Sequence, residues 1–271
     1  MTTHLWKIAG ISFAALVAAA ACNKAPETPA AATAPAAPAA PATPDYAALL
    51  TATDRIPTDA ARDAARKPAE VLAFSKIMPG QTVFEIEAGG GYYTELLSRA
   101  VGPTGKVTMQ GPKEFESFYK ADMDAHLANS RLANVTVSQS LFSKFDAPDA
   151  SVDVVTWFQG PHELFCKKAC GDLPMGEPAA VFAEISRILK PGGYFVIMDH
   201  VAPQGAPTTT GNDLHRIDPM QVKALATGAN FALDEESSLL ANPADDHTKA
   251  VFDDSIRGKT DQFLLRYKKP A

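Results

Sequence analysis

The stretch FEIEAGGGYYTELL, residues 84–97, places three consecutive glycines between a short apolar run and a segment with the composition of a helix. Glycine lacks a Cβ atom, so the backbone at Gly89 and Gly91 can approach a ligand closely. The pattern therefore predicts a strand, a ligand-binding turn and a helix, in that order. Glu87 stands inside this turn, and its charge makes the nature of the ligand an open question.

Apolar strands and helical segments alternate along the rest of the chain. Five predicted strands are TVFEI, GKVTMQ, NVTVSQ, SVDVVTWF and YFVIMDH, and two final runs, FALDEESSLL and TDQFLLRYKK, are typical of paired strands. Such alternation predicts an α/β fold with a doubly wound, mainly parallel sheet and helices on both faces. In these sheets ligands bind at the carboxyl ends of the strands.

The N-terminal residues have the layout of an export signal. In residues 1–22 an early cation precedes an apolar stretch that closes on three small residues and Cys22, which resembles the site of bacterial lipoproteins where cysteine is lipidated. A plain secretory signal is the alternative. Residues 23–44 are rich in Ala and Pro and indicate a disordered tether. Residues 45–271 are predicted to form a single domain.

Composition limits the partners that this chain can have. Its net charge is −6 and it has no basic run, which argues against nucleic acid as a partner. The apolar stretch near the N-terminus is short for a membrane span, so we expect membrane contact only through a lipid anchor. In an exported chain, Cys166 and Cys170 are predicted to form a disulfide. The sequence does not predict an oligomeric state.

Several charged or histidine-containing segments have two interpretations each. Residues 59–77 predict helices, on which Arg62 and Arg66 belong either to a solvated ion-pair face or to a cover over a binding site. The run NPADDHTKAVFDD is interpreted as an acidic turn rather than as a metal site, and no metal is expected.

The chain resembles the class I S-adenosylmethionine-dependent methyltransferases in five stretches. These are residues 79–107 around the glycines, DASVDVVTWF, FAEISRILKPGGYFVIMDH, the helix before residue 230 and the closing strand pair. Other segments, such as ARDAARKPAEVL and MDHVAPQG, are similar to exported predicted methyltransferases of bacteria. The resemblance implies a class I methyltransferase-like Rossmann fold with a seven-stranded sheet and an antiparallel last strand. It also implies S-adenosylmethionine as cofactor and a small-molecule substrate.

The resemblance implies which residues of this chain contact the cofactor. At some of these positions the residue type differs from that of the family. The family pattern is an acid followed by alternating glycines, but Glu87 occupies the first glycine position. An uncharged glutamine ends the second strand, where an acid usually binds the ribose. A dinucleotide motif is disfavoured because Thr94 replaces its third glycine. The predicted cofactor-binding residues are Glu85, Glu87, Gly89, Gly91, Gln110 and Asp146.

Two histidines follow predicted strands and are candidates for catalysis. His162 follows the fourth strand and His200 ends the fifth, next to Asp199. Either could act as a general base because imidazole titrates near neutrality, although a loop histidine that only binds backbone explains His162 equally well. We therefore expect an exported methyltransferase that acts on an unidentified small acceptor. The alternative is a non-catalytic envelope protein that binds ligands or supports structure with a degenerate cofactor site.

Overall fold

The predicted alternation of strands and helices is present in the computed structural model, which describes residues 42–166 and 175–271. The strands are β1 (Thr82–Ile86), β2 (Lys106–Gln110), β3 (Val135–Ser138), β4 (Val152–Phe158), β5 (Leu189–His200), β6 (Ala232–Ser237) and β7 (Gln262–Lys268). The α-helices are α1 (Tyr46–Leu49), α2 (Pro57–Ala60), α3 (Asp63–Arg66), α4 (Pro68–Phe74), α5 (Tyr92–Val101), α6 (Glu116–Leu127), α7 (Pro178–Ile188), α8 (Thr209–Leu214) and α9 (Pro219–Gly228).

Some predictions concern residues beyond that description. The signal at 1–22, most of the tether at 23–44 and Cys170 lie outside the described residues. Cys166 is described and is buried. Export, lipidation and the disulfide therefore stay predictions. None of the described helices combines the length and the apolar character that crossing a bilayer requires.

All seven strands belong to one sheet, in the order β3-β2-β1-β4-β5-β7-β6. The strands from β1 to β5 pair in parallel, and β7 is antiparallel to both of its neighbours. The predicted seven-stranded, mainly parallel sheet is confirmed. The order reverses between β1 and β4, which is the place where an open α/β sheet leaves a crevice for ligands.

Helices cover the sheet on both faces, as its apolar strands require. In β4, Val154 packs on the side of α1, α4 and α5, whereas Val155 and Trp157 pack on the side of α7 and α9. Burial of alternate residues in two separate cores fixes the strand register, since a slip of one residue would exchange the faces.

The segment at residues 59–77 is helical as predicted, but its helices are short. It contributes to three short helices, α2, α3 and α4, and Lys67 between the last two is left-handed, with φ 44°. Pro68 explains the last break, because proline disfavours helical backbone at the residue before it. Helix α8 was not predicted from the sequence.

Candidate functional site

A cavity of about 600 Å³ opens at the carboxyl ends of β1 and β4. The turn after β1, residues 87–90, forms one wall. The rest of the cavity is lined by Arg66 of α3, by the aromatic residues of α6 and by the loops after β4 and α8. The cavity therefore lies at the reversal of strand order, where the sequence predicted a ligand.

The glycines of the turn after β1 have two different neighbours, the cavity and helix α6. Gly89 lines the cavity and has a φ of 57°, a conformation that favours glycine. Gly91 has a φ of 108°, and a Cβ atom there would lie 3.1 Å from the ring of His126. Of the two predicted glycines, Gly89 therefore faces the ligand space and Gly91 allows α6 to pack closely.

Glu85, the acid that ends β1, is almost fully buried and lines the cavity. The Thr94 hydroxyl donates a hydrogen bond to its Oε2 at 2.5 Å. Burial raises the pKa of Glu85 to about 8. The carboxyl group is therefore mainly neutral at neutral pH.

Glu87 is partly buried and directed toward the end of β4. Its backbone is left-handed, with φ 51°, and its N–H donates to Gln110 Oε1 at 2.9 Å. Its Oε2 accepts a hydrogen bond from the Trp157 indole at 3.0 Å. Burial, and then the neighbouring Glu163 carboxylate, raise the pKa of Glu87 to about 8. The charge that seemed to oppose a cofactor is thus largely absent at neutral pH.

Gly160 completes the contacts around Glu87. A Cβ atom at this position would lie 2.3 Å from Glu87 Oε2 and 2.2 Å from Trp157 Nε1. Any side chain at residue 160 would therefore displace both groups.

Gln110 and Asp146, predicted to contact the cofactor, do not line this cavity. Gln110 is fully buried, and its Nε2 donates to the Ser140 carbonyl at 2.7 Å, so both ends of its amide bind protein. Asp146 is exposed and accepts from Ser138 Oγ at 2.7 Å. Their predicted contacts assumed that a position beside a strand end faces the ligand, whereas local hydrogen bonds direct these side chains elsewhere.

His162 lies on a short 3-10 helix, Pro161–Phe165, directly after β4. Asp199 Oδ2 accepts from its backbone N–H at 2.8 Å, and Asp199 Oδ1 lies 2.8 Å from its Nδ1. Its Nε2 lies 3.2 Å from His215 Nδ1 and 3.3 Å from Glu163 Oε1. Burial alone would lower the pKa of His162, but Asp199 and Glu163 outweigh it and raise the pKa to about 10.

His200, the other predicted catalytic residue, does not line the cavity. Its Nδ1 lies 2.8 Å from the Thr260 hydroxyl, and burial lowers its pKa to about 4. Adjacent residues of a strand point to opposite faces, so Asp199 reaches His162 while His200 does not. Neither of these neighbours lines the cavity, and only Asp199 forms a hydrogen bond with His162.

Sequence reasoning missed Glu163 and did not resolve the neighbours His215 and Arg216. Glu163 and His215 both line the cavity. Arg216 is fully buried in an ion pair with Asp245 and does not line the cavity. A signal for Glu163 was present in the sequence, because it directly follows His162 after β4.

The short helices before β1 cover the cavity. Arg62 and Arg66 both line it, and the Arg66 guanidinium lies 4.5 Å from the centre of the Tyr92 ring. Asp59 is buried and forms ion pairs with Arg62 and His126. The interpretation of this segment as a cover is therefore the one that the structure supports.

Comparison with known proteins gives the family. The family model described as "Methyltransferase domain" matches residues 78–230, more than half of the chain. The ubiquinone/menaquinone biosynthesis C-methyltransferase UbiE of Saccharophagus degradans is 27% identical over 184 residues, which cover 67% of this chain and 69% of that protein.

Solved structures agree on the fold. A SAM-dependent methyltransferase from Aquifex aeolicus has 22% identity and a TM-score of 0.53, covering 76% of this chain and 97% of its own. The [4+2]-cyclase SpnF has 19% identity and a TM-score of 0.55, covering 77% and 81%. The chain belongs to the methyltransferase-domain family, among the class I S-adenosylmethionine-dependent methyltransferases.

Proposed function

We propose that this protein transfers a methyl group from S-adenosylmethionine to a small acceptor held in the cavity beside Glu163 and His215. The observation that carries the proposal is one cavity lined both by the turn at Gly89 and by Glu163 and His215, the two contacts of His162 Nε2. A cofactor on the turn and an acceptor beside this cluster would share that space. When bound, S-adenosylmethionine supplies an electrophilic methyl group on a sulfonium ion.

The cofactor end of the cavity has suitable charges. Arg62 and Arg66 provide positive charge that can hold the carboxylate of the cofactor's methionine part. Glu85 and Glu87 are mainly neutral at neutral pH, so they do not repel that carboxylate. Both can act as hydrogen-bond donors in this form.

The acceptor end carries charges of both signs. Burial would raise the pKa of Glu163, which lines the cavity, but its contacts with His162 and His215 lower that pKa to about 2. With a pKa of about 10, His162 keeps its proton at neutral pH and cannot readily remove one from an acceptor. We therefore propose that His162 positions Glu163 and His215 at the wall of the cavity and does not act as the general base that was one of its two interpretations from the sequence.

Calorimetric titration of the purified full chain with S-adenosylmethionine and S-adenosylhomocysteine tests the proposal. We expect both ligands to bind. Replacement Glu87→Gly removes the hydrogen bond to Trp157 and should weaken binding about five- to tenfold, which corresponds to about 1 kcal/mol. The control Asp146→Asn should bind like the wild type, because Asp146 lies outside the cavity. Absence of binding heat and of a thermal shift with both ligands would refute cofactor use.

A second candidate is an envelope binding protein with a degenerate cofactor site. It is favoured by the commitment of both ends of the Gln110 amide to protein groups. In that case the wild type would bind neither ligand, and Glu87→Gly would create or strengthen binding. The sign of the Glu87→Gly effect therefore separates the two candidates.

We also propose that the protein is exported and anchored by a lipid on Cys22, on the basis of the signal-like residues 1–22. An oxidising compartment would then allow a disulfide between Cys166 and Cys170. Metabolic labelling with a fatty acid should mark the wild type, and Cys22→Ser should remove the label and release the protein from membranes. A labelled Cys22→Ser variant, or wild type recovered in the cytosol, would contradict this localisation.

A further inference from the structure

We propose that His162, Glu163 and His215 form a site for a divalent ion of the zinc type at the acceptor end of the cavity. The ligand atoms are His162 Nε2, Glu163 Oε1 and His215 Nδ1. This proposal reverses the sequence expectation of no metal, which did not consider these three residues together. It does not depend on methyl transfer and can be tested without S-adenosylmethionine.

The spacing of the three atoms matches one face of a tetrahedron. Their mutual distances are 3.2, 3.3 and 3.4 Å. Ligand atoms that each lie about 2.05 Å from a tetrahedral zinc ion are separated by about 3.3 Å. An ion can therefore be placed at bonding distance from all three atoms with little movement of the side chains.

The hydrogen bond from His162 to Asp199 prepares the imidazole for a metal. A carboxylate only accepts hydrogen bonds, so Nδ1 carries a hydrogen toward Asp199 Oδ1 at 2.8 Å. Nε2 is then the atom that can give its lone pair to a metal. A carboxylate behind a metal-binding histidine is the usual arrangement that fixes the ring and its tautomer. Without a metal, Nε2 carries a proton that interacts with Glu163 and His215.

Backbone packing holds the second histidine in place. A Cβ atom at Gly211 in α8 would lie 2.5 Å from the His162 carbonyl, so glycine lets α8 pack directly on the 3-10 helix. His215 follows α8 in a left-handed conformation, with φ 54°. Non-glycine residues adopt this conformation at a cost, and such residues concentrate at functional sites.

An ion held by these three atoms would border the ligand space. Glu163 and His215 line the cavity, whereas His162 is buried behind them. Three protein ligands with an open fourth position are typical of catalytic zinc sites. An oxygen or sulfur atom of the acceptor could occupy that position, and the ion would take over the positive charge of protonated His162.

A second mixed cluster, Asp59, Glu95 and His126, lacks these features. Glu95 already pairs with Arg99 and Arg131, and Asp59 pairs with Arg62. Both ring nitrogens of His126 face oxygen acceptors, so neither is available to a metal. Arginine and imidazolium charges already compensate these carboxylates.

Cobalt(II) is the probe, because four-coordinate Co²⁺ has intense visible absorption bands that report geometry without any enzyme assay. The full chain, without an affinity tag, is treated with a chelator and titrated with Co²⁺. We expect one ion per chain with a tetrahedral spectrum, and displacement by Zn²⁺. A wild type that gives no such spectrum, with no protein-bound zinc by elemental analysis, overturns the proposal.

Variants assign the ligands. His215→Ala and Glu163→Gln should each abolish the tetrahedral spectrum, and circular dichroism shows whether each variant is folded. Asp199→Asn should lower the affinity about 10- to 100-fold while the spectrum stays tetrahedral, as expected for a positioning residue. The matched control is His247→Ala, which removes a histidine that contacts Asp261 outside the cavity. Tetrahedral Co²⁺ binding of wild-type strength in folded Glu163→Gln and His215→Ala would overturn the proposal.

Discussion

Replacement of Asp245 by asparagine is expected to lower the free energy of unfolding by about 3–5 kcal/mol, the range for removing one partner of a buried ion pair. Asp245 Oδ1 and Oδ2 contact the two terminal nitrogens of Arg216 at 3.0 and 2.9 Å, and both side chains are essentially inaccessible. Asp245 also accepts hydrogen bonds from the backbone N–H groups of Asp261 and His247. The variant would leave the Arg216 charge buried without a counterion.

Urea denaturation of the wild type and of this variant measures the effect. The neighbouring Asp246→Asn is the matched control and should change stability by at most about 0.5 kcal/mol, because Asp246 is exposed. The double variant Arg216→Met with Asp245→Leu should not recover the loss, because it also removes the hydrogen bonds that the pair makes to four backbone groups. Equal stability of Asp245→Asn and Asp246→Asn would show that the pair contributes little.

The Asp245 substitution should also disturb the cavity, because Arg216 directly follows His215 in the sequence. The Arg216 guanidinium donates to the carbonyl groups of Val201 and Lys249, each at 2.9 Å. It thereby connects the residue after His215 to the end of β5 and to the loop before β7. Loss of its counterion is expected to loosen the position of the His215 ring.

The second large effect is expected for His126→Gln, which should lower the free energy of unfolding by about 3 kcal/mol below pH 6. His126 Nε2 lies 2.6 Å from Asp59 Oδ2, and Nδ1 lies 2.8 Å from the Asp122 carbonyl oxygen. Both partners can only accept, so both nitrogens carry hydrogens and the ring is an imidazolium ion. Arg62 still contacts Asp59 in the variant, which keeps the loss at the lower end for a buried pair.

The stabilisation from His126 should depend on pH. Burial would lower its pKa, but Asp59, the Asp122 carbonyl and Glu95 outweigh burial and raise the pKa above the usual 6.5. A raised folded-state pKa gives a stabilisation that is complete below about pH 6.5 and is lost as the pH rises through the folded value.

Denaturation of wild type and His126→Gln at several pH values tests this dependence. The stability difference should shrink as the solution becomes alkaline. His247→Gln is the control, because the contact of His247 with Asp261 is partly exposed and should contribute about 1 kcal/mol or less. A difference that is constant with pH would mean that His126 acts through packing and not through charge.

The fold could be predicted because its signals are local and repeated. The apolar run of β4 follows directly from residue type and is as predicted. The helices before β1 were less accessible to prediction, because Asp59 is buried through contact with His126, 67 residues away. A sequence pattern does not contain the partner that makes burial of a charged residue favourable.

The sequence predicted the location of the site but not all of the side chains that form it. Gly89 and His162 were assigned to the correct edge of the sheet, and the structure adds the contact of His162 with Asp199. The pairing of His162 with His215 depends on α8, which was not predicted. Gln110 and Asp146 have the expected positions in sequence, but neighbouring loops bind their side chains, and no spacing rule could indicate that.

The contact among Glu87, Trp157 and Gly160 makes two distant turns sterically interdependent. In the family pattern a glycine stands at position 87, after β1, and leaves space there for a ligand. Here a carboxyl group fills that space, and a glycine after β4 provides the room that this carboxyl group and the indole need. Positions 87 and 160 should therefore vary together among relatives, so that a side chain gained at one turn is matched by a side chain lost at the other.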